Sequence, residues 1–311
     1  MLEPEMMRFI ERSIALYPED AAQMPADEQR RVYDRYCAEF ARPRPAGVTT
    51  EDAVLETADG PVPLRLYRPA GGGTGLAVYI HGGGFILGSL DSHDVVTAEL
   101  AATANVAVLA VHYRLAPEHP APAAFRDCLA VTEAALAGRL PFSGLAAGPV
   151  VLAGDSAGGT LSAATALALR DRGVPSVAGL LLIYPSLGFE PALPAAETEA
   201  EAPLLTLADM LAYRTAYLGN KTPDAYDFPL LTARFDALPP TLAIGVEHDP
   251  LRDDARVFAE KLTAAGGTAE FYLAAGLVHG CLRALGTSPA TDRLYARAAA
   301  FIRERLLPRR G

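Results

Sequence analysis

The chain has 311 residues, 50% hydrophobic and 21% charged, which is enough apolar material to bury a large core and excludes a disordered or disulfide-stapled module. Its 37 acidic and 27 basic side chains leave a formal charge of −10, which repels phosphate backbones and anionic bilayers, so neither nucleic acid nor a membrane is an expected partner. The same excess favours neutral or cationic small molecules at the point of entry, unless a local patch overrides it.

The first residues, MLEPEMMRFIERS, carry acids where a secretory leader has basic residues, and no apolar stretch follows before Glu11 and Arg12. Cys37, Cys128 and Cys281 are odd in number and scattered, which fits reduced thiols. A cytoplasmic protein is expected. The longest apolar runs, such as Val177 to Pro185, are about half of the roughly 20 residues a spanning helix needs, and read as buried strands.

Up to about Pro45, apolar residues at helical spacing (Met6, Phe9 and Ile10, then Val32, Tyr36 and Phe40) predict two helices separated by proline-bearing turns. The period then changes. Around Leu55, and again through Leu64 and Leu66, short strands flank the turn pair Asp59-Gly60, and Pro61 and Pro63 confine this hairpin to a sheet edge. The run Gly71 to Gly75 lacks the downstream Gly-Lys-Ser/Thr of a phosphate loop and reads as a surface turn.

From Leu76 short apolar runs alternate with amphipathic helices. The strands are LAVYI, VAVLAV, PVVLA, GLLLIYP, TLAIGVEHD and AEFYLA; the helices fall near 95–103, 123–137, 160–170, 254–265 and 291–306. Continuous apolar strands joined by helical crossovers predict a mostly parallel sheet covered on both faces, made mixed by the edge hairpin. Ser186–Tyr226 breaks the alternation as an insertion. Within it Glu190–Pro203 is expected to be mobile surface and Leu204–Leu218 a packed helix.

Gly154-Asp155-Ser156-Ala157-Gly158 fits G-x-S-x-G between an apolar strand and a helix, the context in which a serine is presented on a sharp turn with strained backbone. His81-Gly82-Gly83-Gly84-Phe85 ends an earlier strand. Its glycines let main-chain N–H groups face a developing oxyanion, so Gly83 and Gly84 are the expected donors, together with Ala157 from the serine turn. A serine hydroxyl needs a base, and the base an orienting acid. Of six histidines, His279 is the strongest candidate, leaving the last strand between Gly276 and Gly280. His93, His112, His119 and His248 read as structural or surface residues. Asp249 leaves the end of TLAIGVEH directly and is the preferred acid, while Asp253 and Asp254 read as helix-capping residues. The order Ser156, Asp249, His279 is that of α/β-hydrolases.

HGGGF, YRLAPEHPAPAAFRD, GDSAGG, EHDPLRDD and VHG together resemble the hormone-sensitive-lipase family of α/β-hydrolase esterases. The resemblance implies an α/β-hydrolase core over 46–185 and 227–311, and a helical cap over 1–45 and 186–226. It implies a serine carboxylesterase without cofactor or metal, acting on a small-molecule ester, with a homodimer through the last strand and helix as an option. Tyr113, Arg114, Glu118 and Pro120 would be structural support. Cys281, Ala121 and Phe228 depart from the family pattern and affect the expected pocket shape. Cys281 is expected to fill a pocket wall. A short cap and modest lining predict short-to-medium acyl chains. The competing readings are a non-catalytic small-ligand receptor on the same scaffold, and a hydrolase of amides, lactones or carbamates.

Overall fold

A computed structural model describes residues 2–18, 21, 24–71, 75–174, 177–188 and 193–306. Gly72 to Thr74 of the glycine run and Glu190 to Ala192 of the insertion lie outside the described residues. Two helices open the chain, α1 (Pro4–Leu16) and α2 (Ala26–Glu39), followed by the hairpin β1 (Thr49–Thr57) and β2 (Gly60–Arg68). Then come β3 (Leu76–Ile80), α3 (Asp94–Ala104), β4 (Ala107–Val111), α4 (Ala123–Leu136), β5 (Val150–Asp155), α5 (Ala157–Asp171) and β6 (Gly179–Ile183). The short α6 (Pro194–Thr198) and α7 (Leu207–Leu218) precede β7 (Thr241–His248), α8 (Arg252–Ala264), β8 (Ala269–Val278) and α9 (Pro289–Leu306).

The eight strands form one sheet in the order β1-β2-β4-β3-β5-β6-β7-β8; β1, β2 and β4 pair antiparallel and every other neighbouring pair is parallel. This is the α/β-hydrolase fold with the mixed sheet expected from the apolar pattern. β2 pairs with β4 only over Leu64–Tyr67, so Pro61 and Pro63 stand in the overhanging part of β2 that has only β1 beside it in the ladder. There a missing N–H costs no ladder bond to β4.

Alternate residues of the central strands divide between two cores. Val78, Ile80, Leu152, Leu180 and Leu182 pack with α4 and α5, while Ala77, Tyr79, Val151, Leu181 and Ile183 pack with α3 and α9. Period-2 side-chain alternation buried on both faces explains why these strands read as unbroken apolar runs. Outside the sheet, α7 starts on a capping box in which Thr206 and Asp209 satisfy each other's backbone N–H groups. The stretch expected to be mobile instead contains α6, with Ala195 and Ala196 buried, because Asp253 at the start of α8 accepts a hydrogen bond from Ala195 N at 2.9 Å.

β3, β5 and the start of α5 come together where their backbones nearly touch. A Cβ on Gly158 would lie 1.9 Å from the Ile80 carbonyl oxygen and 2.6 Å from that of His81. The second glycine of the serine motif is therefore a packing requirement of the sheet. Gly158→Ala is expected to destabilise the fold by about 2–4 kcal/mol, because the opposing atoms are backbone and cannot rotate away; urea unfolding of the variant checks this, and an unchanged midpoint contradicts it.

Candidate active site

β5 ends at Asp155 and α5 begins at Ala157, leaving Ser156 alone at the turn with φ 52° and ψ −123°. A residue with a side chain is strained there and persists because neighbours hold it. Ser156 N donates to Ile183 O at 2.9 Å, and Ser156 O accepts from Thr160 N at 3.1 Å. The side chain therefore projects from a turn fixed by β6 on one side and α5 on the other.

His279 follows β8 directly. Its Nε2 lies 2.9 Å from Ser156 Oγ and its Nδ1 2.8 Å from Asp249 Oδ2. Asp249 follows β7, is fully buried, and accepts Leu251 N on its other oxygen at 2.8 Å. Facing a carboxylate, Nδ1 carries the proton, so Nε2 presents a lone pair to the serine hydroxyl. The imidazole is braced by the Tyr184 ring, 4.6 Å away between centroids, and the end of β8 is tied to β7 where Glu247 accepts Gly276 N at 2.6 Å. Asp253 and Asp254 stand apart from this chain of contacts. Asp254 accepts Leu187 N and Gly188 N at 2.7 and 2.8 Å, and burial raises its pKa to about 6. Both carboxylates thus tether the insertion; they stand in the first turn of α8, where the dipole role expected of them holds, but neither caps the helix.

The loop after β3 turns sharply: Gly83, Gly84 and Phe85 have φ of 120°, 59° and 66°. Gly83 O accepts the amides of Ile86 and Leu87, so the carbonyl faces along the loop. Among the described loop and turn hydrogen bonds the amides of Gly83 and Gly84 donate to no carbonyl, and Ala157 N is in the first turn of α5, where no intrahelical acceptor exists. A Cβ on Gly84 would meet the Tyr213 ring at 2.4 Å, so α7 rests directly on this loop.

Asp155 is the residue that motif reading passed over. It is buried; Oδ1 accepts the Tyr79 hydroxyl at 2.6 Å and Gly82 N at 3.0 Å, while Oδ2 faces His93 Nε2 at 3.6 Å. Burial opposes its ionisation, but His93 and the Tyr79 hydroxyl outweigh it and hold the pKa well below the usual carboxylate range. The carboxylate next to the serine therefore clamps the glycine loop to the serine turn. Burial lowers the pKa of His81, stacked on Tyr113 at 4.4 Å, and, against the pull of Asp155, that of His93; both rings pack behind the loop. Tyr113 O–H donates to His81 O at 2.9 Å and Arg114 pairs with Asp127, supporting roles for both.

These groups open into a cavity of about 690 Å³. Leu204, Leu205, Met210 and Leu251 supply an apolar wall, and Tyr17, Tyr33 and Tyr36 from the first two helices supply an aromatic one. Cys281 is fully buried and lies outside that lining, so it packs behind the cavity instead of filling its wall. Among the described residues no cluster of three or more His, Cys, Asp or Glu is placed to hold a metal ion, and no helix is long and apolar enough to cross a membrane.

A family model for the alpha/beta hydrolase fold matches residues 77–283. Esterase LipI of Mycobacterium tuberculosis is 37% identical over 260 residues, 81% of either chain, and carboxylic ester hydrolase LipN of the same organism is 36% identical over 267 residues, 82% of this chain and 71% of that one. Among solved structures, the Pyrobaculum calidifontis esterase superposes with a TM-score of 0.86 at 31% identity, covering 98% of this chain and 99% of that one.

Because the Asp155 carboxylate is spent on holding the loop, its removal is expected to act on turnover. Asp155→Asn should lower kcat on a short aryl ester by roughly tenfold to a hundredfold with KM changed far less, as the amides drift from their aim. Steady-state kinetics on a variant whose melting confirms folding checks this. An unchanged kcat, or a change confined to KM, would refute the clamp.

Proposed function

The chain belongs to the hormone-sensitive-lipase-like family of α/β hydrolases and is a carboxylesterase, and from that premise we propose that Ser156, His279 and Asp249 carry the reaction. Ser156 Oγ attacks the ester carbonyl carbon while His279 Nε2 takes the hydroxyl proton. The oxygen that becomes negative faces the amides of Gly83, Gly84 and Ala157. His279 returns its proton to the departing alkoxide, releasing the alcohol, and a water activated by the same nitrogen then cleaves the acyl-enzyme. Asp249 keeps the imidazole in the required tautomer and opposes its transient charge. The observation that carries this reading is the continuous path of 2.9 and 2.8 Å contacts from Ser156 through His279 to Asp249. It favours hydrolysis over a receptor role, because a retained base in bonding distance has no use in passive binding.

We assign the hydrolase core to 46–185 and 227–311 and a cap to 1–45 and 186–226. The support is that α1, α2 and α7 lie outside the sheet yet line the cavity. A walled cavity suits a dissolved ester of short or medium acyl length better than an emulsified lipid. Three buried free cysteines fit a cytoplasmic setting. β8, last in the sheet order, offers the edge along which a homodimer would pair.

Ser156→Ala is expected to reduce kcat on short aryl esters by about 10⁴-fold or more without loss of fold. A serine-directed organophosphate should label the wild-type chain at Ser156 and leave the variant unmodified. Labelling elsewhere with full loss of activity would overturn the assignment, and a chain-length series peaking on long-chain emulsions would overturn the substrate class.

A further inference from the structure

Arg283 lies four residues beyond His279, in the 3₁₀ turn Cys281–Ala284, and lines the same cavity as Ser156 and His279. Its guanidinium donates to Ser92 O and to the Tyr33 hydroxyl, each at 2.7 Å, and sits 5.2 and 5.8 Å from the ring centroids of Tyr33 and Tyr36. A guanidinium has five N–H donors and stays charged at any working pH. Most of the other charged contacts of arginine are with acids: Arg30 with Glu118, Arg65 with Asp52, Arg44 with Asp94, Arg114 with Asp127. Among the described residues Arg283 has no carboxylate within 4.0 Å.

The carboxylates that feel the Arg283 charge, Asp155 and Asp34, stand outside bonding distance of it. Asp155 is held by Tyr79, Gly82 and His93, and Asp209, which also lines the cavity, closes the capping box with Thr206. Arg214, the other arginine on the cavity wall, lies over the Phe228 ring and feels Asp254. A cation flanked by aromatic faces, with no carboxylate in bonding contact, is costly in a partly dry cavity, and a carboxylate entering from the solvent side relieves that cost with charge-assisted, planar hydrogen bonds.

We propose that Arg283, with the tyrosines around it, is a carboxylate-recognition subsite, and that the preferred substrates are esters carrying a free carboxylate on a part of the molecule remote from the scissile bond. This rests on the esterase reading and deepens it. The chain's formal charge of −10 sets the field outside the molecule, whereas this guanidinium sets it within the cavity. The acyl or the alcohol side could carry the carboxylate; the chemistry at Arg283 is the same.

The test compares matched pairs on the wild-type protein. One series uses 4-nitrophenyl monoesters of dicarboxylic acids of increasing length against their ω-carboxamide isosteres; another uses 4-carboxyphenyl acetate against 4-carbamoylphenyl acetate, each corrected for spontaneous hydrolysis. In at least one series the charged member is expected to exceed its neutral partner in kcat/KM by about tenfold or more, mainly through KM. Arg283→Met should lower that ratio to near one, whatever it does to the neutral ester. Should the variant fail to fold, competitive inhibition of the wild-type chain by glutarate, absent with glutaramide, replaces it. Neutral esters hydrolysed at least as well as charged ones in both series would overturn this inference while leaving the esterase reading standing. No hydrolysis of either member would overturn the esterase reading itself.

Discussion

The site depends on one buried carboxylate that ties the glycine loop to the serine turn. Asp155 is the last residue of β5, the neighbour of Ser156, and the acceptor for Gly82 N and the Tyr79 hydroxyl. A hydroxyl and amide donors can act on one carbonyl only if the distance between them is fixed to a fraction of an ångström. Here the two parts come from separate segments, the exit of β3 and the β5–α5 turn, which neighbouring parallel strands bring side by side. The carboxylate converts that adjacency into a bonded distance. Being buried, it is also expensive to leave unsatisfied, so the geometry that satisfies it is strongly preferred.

A second set of contacts joins the site to elements outside the sheet. Tyr213 of α7 covers Gly84, and Arg30 of α2 donates to the carbonyls of Ile86 and Ala116, each at 2.9 Å. Asp253 and Asp254 grip the insertion from the start of α8, four and five residues beyond Asp249. The glycine loop is thus held from below by the sheet and from above by helices that also wall the cavity. Movement of those helices would be felt at the amides, because the loop has no slack between the two.

The sheet, its strand exits and the residues at those exits were readable because each rests on a local signal. Unbroken apolar runs mark strands buried on both faces, and Ser156 and Asp249 directly follow two of them, while His279 follows the partly exposed edge strand β8. What could not be read depends on contacts between distant segments. Asp155 is one letter of a motif, and nothing along the chain points it at Gly82, 73 residues away. The buried face of α6 went unseen because its Ala, Pro and Glu composition signals solvent exposure, while the acid that anchors it lies 58 residues further on. Cys281 lies two residues beyond His279, but the positive φ of Gly280 turns the chain so that the thiol faces the core.

The contacts of the three imidazoles near Ser156 explain why the proposed reaction assigns the base to only one of them. His81, His93 and His279 all lie within the serine's neighbourhood. His81 Nδ1 is engaged by its own loop at Gly82 O, and His93 Nε2 is turned to Asp155. Burial lowers the pKa of both rings and so disfavours their taking up a proton. His279 alone has a carboxylate on one nitrogen and the serine hydroxyl on the other. In the proposed reaction the imidazolium formed when the serine gives up its proton is matched by a charge already in place, with no rearrangement required at that moment. Two buried carboxylates of the same sign coexist because each has its own donors: Asp155 holds the glycine loop, and Asp249 holds the His279 imidazole.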